Sequence, residues 1–309
     1  MKPLISFIIT YHNEPEALLR ACLESIQALR LEDEAEIIVV DDGKTLSNSP
    51  LKGENTRGGL EGFVLIRQEQ AGLSVARNTG LSHAQGLYIQ FVDADDCLIP
   101  STYNRILEEL RKASAEVVMF KMTKSSAAPL CLPRGGKTGS LPSGRFGGGR
   151  WRGSGAFFLQ HHNLRAAAWG YAFKREILGD LRFCPGLLHE DELFTPQLLL
   201  RAKTLVELDE KAYFYRQHSG TITSSKSSEK VQKRLNDIHF TLRELQSLGE
   251  PMLERRLRQL TVDYLQKTWT LSHSYRELRK RMKELREEGF LPLPVRSYSL
   301  RYFLASLIV

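Results

Sequence analysis

The sequence predicts an α/β protein: a mostly parallel sheet flanked by helices, followed by a helical C-terminal segment. Three observations carry this reading. Short runs rich in β-branched and aromatic residues alternate with helical patterns from residue 4 to residue 122. Three of the predicted strand ends are loaded with acids and amides. Beyond residue 225 the apolar spacing turns almost wholly helical and the charge turns basic. Strand alternating with helix gives parallel strands, because each return connection runs through a helix that covers the sheet.

The elements follow in order. Residues 4–10 read as a first strand running into Thr10-Tyr11-His12-Asn13-Glu14; the apolar run is short and lacks a cleavage site, unlike a signal peptide. A helical pattern from Glu16 to Leu29 leads to a second strand, 35–41, closed by Asp41-Asp42-Gly43. Lys44 to Gly62 is Gly/Ser/Asn/Lys-rich and reads as a long loop. Strand 63–67, helix Leu73–Ala84, strand 87–92, helix Thr102–Lys112 and strand 116–122 complete the alternation. Ser125 to Gly149 is Gly/Pro/Ser-rich and reads as a mobile loop near a site. Next come a helical Gly155–His162, a strand-like Ala166–Phe173, a helix over 190–201 and a strand closing through Tyr213 to His218. Glu229 to Arg286 is almost wholly helical, and Tyr298 to Val309 is an apolar tail.

The composition, 42% hydrophobic and 26% charged over 309 residues, is that of an ordinary globular protein able to bury a full core. Cys22, Cys97, Cys131 and Cys184 lie far apart with no C-x-x-C pair, so neither a zinc site nor a disulfide framework is indicated, and a reducing compartment is expected. No apolar stretch reaches the ~18 residues that span a bilayer. Residues 226–309 hold 17 Lys+Arg against 10 Asp+Glu, which accounts for the whole net charge of +7. These basic helices are interleaved with acids and carry no nucleic-acid motif, so the expected partner is an anionic membrane surface and not nucleic acid. Two Gly-Lys-Thr triplets, at Gly43 and Gly136, have Ile38 and Cys131 where a P-loop needs glycine. Trp151, Trp169 and Trp269 are expected in core or acceptor-side packing.

The richest stretch is Phe91-Val92-Asp93-Ala94-Asp95-Asp96, an apolar strand running into three carboxylates. They repel one another unless a cation sits between them, and hard oxygen ligands suit Mg²⁺ or Mn²⁺. Such an ion also grips a diphosphate. An isolated cluster of this kind reads equally as a solvated acidic turn with Asp96 capping the next helix. Convergence with the other two polar strand ends favours a site, since ligands of parallel sheets sit at the carboxyl ends of strands. Glu190 and Asp191 open a helix, where the dipole alone favours acids.

Taken together, these motifs resemble the family 2 glycosyltransferases of the GT-A fold. Phe7 to Glu14 is similar to the first strand and turn, Glu36 to Gly43 to the nucleotide-binding second strand, and Gln70 to Gly80 to the loop and helix after the third. Phe91 to Asp96 resembles the D-x-D element, and His189 to Phe194 the E-D motif; the five span residues 4–220 in family order. The resemblance implies a GT-A-type catalytic domain over 1–225, in which residues 1–122 bind the nucleotide and residues 123–225 form the acceptor side, and a basic helical segment over 226–309. It implies that Asp42 accepts from the base, that Thr10, Tyr11 and Glu14 line the base and ribose pocket, and that Arg77 contacts the diphosphate or fixes the acidic loop. Asp93 and Ala94 would hold ribose or donor sugar. Asp95 would ligate the metal, with Asp93 and His218 as further candidates. Asp191 would be the general base and Glu190 would position the acceptor. Two departures stand out: His12 replaces a frequent tyrosine, leaving Tyr11 or the imidazole to stack the base, and Lys44 replaces a small residue.

The implied reaction is inverting transfer of a sugar, with a UDP-linked sugar as the expected donor, to a saccharide or lipid-linked acceptor in bacterial surface polysaccharide synthesis. Inversion needs a deprotonated acceptor hydroxyl, in-line attack and a stabilised diphosphate, which one base and one metal supply without a second catalytic carboxylate. The expected location is the cytoplasm, with a peripheral hold on the inner membrane face; a homodimer contact is the competing use of the apolar tail. Two rivals remain: a nucleotidyltransferase, which would want a Gly-rich basic turn where Tyr11 to Pro15 stands, and a non-catalytic nucleotide-sugar-binding protein of the same fold.

Overall fold

The structure is a computed structural model that describes residues 2–43, 62–125, 150–217 and 228–307. The expected loops at 44–61 and 126–149, the second Gly-Lys-Thr triplet, Cys131 and the candidate ligand His218 lie outside the described residues.

The first half runs β1 (Ile5–Tyr11), α1 (Glu16–Gln27), β2 (Ala35–Asp42), β3 (Val64–Gln68), α2 (Leu73–His83), β4 (Tyr88–Asp93), β5 (Cys97–Leu98), α3 (Pro100–Arg111) and β6 (Val117–Ser125). The second half runs β7 (Arg150–Gly153), α4 (Gly155–His161), β8 (Tyr171–Lys174), α5 (Asp191–Arg201) and β9 (Leu205–Arg216), then α6 (Ser228–Ser247), α7 (Glu254–Ser272), α8 (Tyr275–Glu287) and α9 (Leu300–Ser306). The sheet has the order β3-β2-β1-β4-β8-β6-β9-β5, with β7 paired to β9. β3, β2, β1 and β4 are mutually parallel, β6 is parallel to β9, and β8 is antiparallel to both β4 and β6. The architecture is the expected mixed α/β one.

Side-chain alternation explains why both faces are apolar. In β1, Phe7 and Ile9 join a core with α1 and α3, while Ile8 joins a second core with α2 and α5. Two glycines set how closely the helices approach. A Cβ at Gly80 would meet Ile8 Cγ2 at 2.3 Å, so α2 lies directly on β1. A Cβ at Gly155 would meet the Leu199 carbonyl oxygen at 2.0 Å, so α4 begins against the backbone of α5.

The sequence pattern misses local detail in three places. The strand expected from Ala166 starts only at Tyr171, because residues 168–170 form a 3₁₀ turn that lays Trp169 flat on Tyr213, 4.4 Å between ring centroids. The long helical pattern is broken twice: by Gly249 at φ +65° before Pro251, and by His273 at φ +46°, which ends α7. Asp96 caps no helix, since α3 starts at Pro100 behind Ile99.

The C-terminal helices do not stand apart from the sheet. Leu242, Leu253, Leu260, Tyr264, Leu285 and Tyr302 belong to the same buried cluster as Phe173 and Phe194. Leu278, Met282 and Leu285 form one stripe of α8 whose pattern suits a membrane surface or packing on the catalytic domain alike, and it turns inward: Leu285 is fully buried and the other two pack against the core. Among the described residues no helix is long and apolar enough to cross a membrane.

Candidate active site

Because β2, β1 and β4 are adjacent and parallel, their carboxyl ends arrive together: Tyr11 lies opposite Asp41, and Thr10 opposite Asp93. The three polar strand ends therefore meet at one edge. At the amino ends of β1 and β4 a groove of about 1080 Å³ opens, lined by Pro3, Leu81, Gln85, Arg175 and Arg182, on the far side of the sheet from the acids.

The β2 end forms a fixed floor. Asp42 is 4% exposed. Its Oδ1 accepts from Gln68 Nε2 and Ala71 N–H, both at 2.8 Å, and its Oδ2 from Gly72 N–H at 2.9 Å. Thr79 Oγ1 in turn donates to Gln68 Oε1 at 2.7 Å. Asp42 thus fixes the turn that opens α2, in addition to the base contact that the resemblance implies for it. The reading of Tyr11 is corrected. It is 5% exposed in the core, with its hydroxyl donating to the Glu14 carbonyl at 2.6 Å, so its ring is not available for stacking. His12 is half-buried at the strand end, with Nδ1 against the Asp42 carbonyl oxygen and Nε2 3.0 Å from Asn13 Nδ2. Thr10 is half-buried at the strand end.

The β4 end is a tight acidic turn closed by Asp96 N–H donating to the Asp93 carbonyl at 3.0 Å. Its acids separate by environment. Asp96 is buried and accepts from Arg216 N–H at 2.7 Å, and burial, then Asp93 and Asp95, push its carboxyl up to about 9. Arg216 Nε also donates to the Asp95 carbonyl at 2.9 Å, and Asp93 N–H donates to Tyr213 Oη at 3.1 Å. Ala94 is buried in the core, so its side chain offers a donor sugar nothing. Asp93 and Asp95 stay half-exposed. Gln68, Tyr213 and Arg216 were not singled out by sequence. Gln68 carries the same signal as its neighbours, a polar residue at a strand end; nothing local marks Arg216.

One buried guanidinium joins this turn to the head of α5. Arg77, 3% exposed on α2, donates through Nη2 to Asp93 Oδ1 at 3.1 Å and through Nη1 to Glu190 Oε1. Burial works against the Arg77 charge, but Glu190, then Asp93 and Asp191, outweigh it, and the guanidinium holds its proton above its usual range. Arg77 therefore fixes the acidic loop from beneath. Glu190, expected to position the acceptor, is buried and turned onto Arg77. Asp191, the first residue of α5, remains half-buried beside them. Burial first, then Glu190, push its carboxyl up to about 7, with Arg77 opposing.

The donor set suits a divalent ion of the Mg²⁺ or Mn²⁺ class. Asp95 supplies hard oxygens, Asp93 lies within the same turn, and burial, with Asp95 adding to it, raises Glu14 above its usual range. Among the described residues no three acids, histidines or cysteines form a ready cluster. An ion here would rest on one or two carboxylates, with water and substrate phosphates completing its shell, as Mg²⁺ sites commonly do.

The family model described as Glycosyl transferase family 2 matches residues 6–177, more than half of the chain. The chain is 28% identical over 234 residues to the uncharacterized glycosyltransferase EpsJ of Bacillus subtilis (strain 168), covering 72% of this chain and 64% of that one. It is 27% identical over 241 residues to the uncharacterized glycosyltransferase YibD of Escherichia coli (strain K12), covering 75% and 66%. The chain thus spans just under two thirds of these relatives' length. Residues 1–349 of S. aureus TarS, solved in complex with UDP-GlcNAc, share the fold at a TM-score of 0.61 and 20% identity, covering 87% of this chain and 73% of that one. The mannosyltransferase PcManGT of Pyrobaculum calidifontis, solved with GDP-Man and Mn²⁺, aligns at a TM-score of 0.52 and 16% identity, over all of this chain and 87% of that one.

Removing the Arg77 charge leaves two acids underneath the site without their cation. Arg77→Met is expected to cost about 3–5 kcal/mol, the usual loss when one partner of a buried pair is removed. Urea denaturation of the two proteins measures it; a loss below about 1 kcal/mol would contradict the bridging role.

Proposed function

The chain belongs to glycosyl transferase family 2, and from that premise we propose that it moves a sugar from a nucleoside diphosphate, UDP in the first instance, onto a saccharide or lipid-linked saccharide acceptor with inversion, in the building of a bacterial surface polysaccharide. The observation that carries the reading is the Arg77 bridge, which puts the acidic turn of β4 and the acid at the head of α5 on either side of one guanidinium. UDP-GlcNAc in the TarS complex supports the donor class, and the name of a teichoic acid poly(glycerol phosphate) polymerase among the relatives supports the surface-polymer setting.

In this mechanism the donor lies over the carboxyl ends of β1, β2 and β4, with the base beside His12. Asp95, with Asp93 beside it, would hold a divalent ion, which when bound would supply Lewis-acid neutralisation of the leaving diphosphate. Asp191 accepts the proton of the acceptor hydroxyl at a carboxylate oxygen as the hydroxyl oxygen attacks the anomeric carbon and the bond from that carbon to the diphosphate breaks. Glu190 acts through Arg77 as a positioning residue. The fixed Arg216 contacts keep the acidic turn from moving as charge develops, so little reorganisation accompanies the reaction.

A lipid-linked acceptor fits the outer face of α9. Leu300, Leu304 and Leu307 are 76%, 52% and 59% exposed and, with Phe303, fall at the i, i+3, i+4, i+7 positions of one stripe, while Tyr302 on the opposite side anchors the helix in the core. With Arg296 and the basic excess of 226–309 near it in sequence, this stripe suits the interface of an anionic membrane.

Three variants and one pH profile test the proposal. Asp191→Asn is expected to keep donor binding and lose roughly 10²–10⁴-fold in kcat, the usual worth of a positioned base. In the unaltered protein kcat/KM should climb with pH up to about 7 and then level off, since the carboxyl at about 7 must be ionised to accept a proton; a profile flat from pH 5 to 9 argues against this base. Asp95→Ala should abolish metal-dependent nucleotide binding, and full activity of that variant in chelator would remove the metal from the mechanism. For the membrane hold, flotation with phosphatidylglycerol vesicles should show binding that weakens with salt and is lost in Leu300→Ser/Leu304→Ser. Absence of flotation, or concentration-dependent dimerisation that the same substitutions abolish, assigns the stripe to a protein contact.

A further inference from the structure

The far half of the sheet edge carries two cations that the chemistry above leaves without a role. β4, β6 and β9 run the same way, since β8 is antiparallel to both β4 and β6, and β6 is parallel to β9. The carboxyl ends of β6 and β9 therefore open onto the same edge as Asp93 and Asp95, on the side of β4 away from β1 and β2. There Lys124 on β6 is the register partner of Tyr215 on β9, and its Nζ stands 5.5 Å from the Tyr215 ring centroid. The Tyr215 ring lies 5.8 Å from that of Trp169, and over Trp169 sits the Arg165 guanidinium, at 4.9 Å. One contiguous set of rings thus holds both cations. It is joined to the acidic turn, because Trp169 stacks on Tyr213, whose Oη accepts from Asp93 N–H.

Arg165 is fixed against the proposed base as well. The carbonyl before it, Leu164, accepts from Arg256 Nη1 at 3.1 Å, and Arg256 pairs with Glu192, next to Asp191. The carbonyl after it, Ala166, accepts from Thr195 Oγ1 at 3.4 Å, and Thr195 lies one turn along α5 from Asp191, on the same face. Arg165 is thus anchored from both sides of the site, to the β4 turn through its ring stack and to the head of α5 through its neighbours.

Neither cation is neutralised. Arg165 and Lys124 are exposed and have no hydrogen bond or ion pair to another described residue. Arg216 is the contrast: it too lies over a ring, 5.9 Å from Phe214, but its Nε donates to the Asp95 carbonyl. A guanidinium resting on a ring keeps N–H donors for a carboxylate or phosphate, whose oxygens match its fork. An anionic acceptor approaching this edge meets the charges of Asp93, Asp95 and Asp191, and two cations at its border offset that repulsion.

We propose that Arg165 and Lys124 form an anion-recognising rim of the acceptor cleft, which selects saccharide acceptors bearing a carboxylate or a phosphate. The assignment to the acceptor rests on the transferase reading, in which the donor occupies the β1, β2 and β4 ends. The rim would choose the acceptor by charge, while Asp191 serves any hydroxyl brought near it.

The test is a ligand-observed NMR titration of the full chain saturated with UDP and Mg²⁺, comparing glucuronate with glucose and glycerol 3-phosphate with glycerol. In at least one pair the anion is expected to bind tenfold or more tighter than its neutral counterpart. Arg165→Gln should weaken the anion about tenfold, Arg165→Lys should retain part of the preference, and Arg165→Gln/Lys124→Gln should abolish it. UDP affinity should stay within twofold throughout. The rim is overturned if neither pair shows a preference, if the double variant keeps it, or if UDP weakens together with the anion. A protein that prefers the anion through Arg165 but never binds UDP would remove the transferase reading and leave the anion rim standing. Preference confined to glucuronate identifies an acidic sugar as the source of the charge, and preference confined to glycerol 3-phosphate a phosphate-bearing acceptor; either supports the rim.

Discussion

The Arg77 guanidinium is the constraint on which the rest of the site depends. It reaches from α2 to acids on two other elements, Asp93 at the end of β4 and Glu190 at the start of α5. In a buried setting neither acid tolerates its charge alone, and the guanidinium fork satisfies both at fixed angles. The bridge therefore sets the separation between the acidic turn and Asp191. It also explains the Gly80 contact. Only a helix lying directly on β1 brings a residue of α2 beneath both acids, and only glycine lets it lie there.

Around that bridge the carboxylates are sorted by what surrounds them. Asp42 accepts from two backbone N–H groups and Gln68, and so builds the floor. Asp96 is buried beside Asp93 and Asp95, which raise its carboxyl, and by accepting from Arg216 N–H it ties the turn to the end of β9. Asp95 is half-exposed, and Asp191 sits where burial lifts it toward neutrality. Acids of the same chemical type are thus divided by exposure and by hydrogen-bond supply into scaffold and lock and, in the proposed reaction, ligand and base.

The C-terminal helices contribute more to this site than a basic tail would. α6 and α7 share the core of α5, and Arg256 pairs with Glu192, one residue beyond the proposed base. Their packing is what makes the head of α5 a half-buried environment. The apolar residues of α8 are spent on that packing, whereas the outer face of α9 remains exposed.

The sequence determined the alternation of strand and helix, the apolar faces and the three polar strand ends, because periods of 2 and 3.6 residues and strand-end chemistry are local properties. Parallel pairing of β2, β1 and β4 then brings Asp42, Glu14 and Asp93 to one edge with no further information. Tertiary structure alone decided which of these acids are occupied. Glu190 lies 113 positions from Arg77, and no spacing announces that pair. The same holds for Tyr11, whose place at a strand end suggested a pocket but whose ring faces the core, and for Leu278, Met282 and Leu285, a stripe that fits a membrane and a helix bundle equally well. Amphipathic pattern records that a face is buried; the partner that buries it is set by contacts between segments distant in the chain, where hydrogen-bond supply and charge compensation are decided.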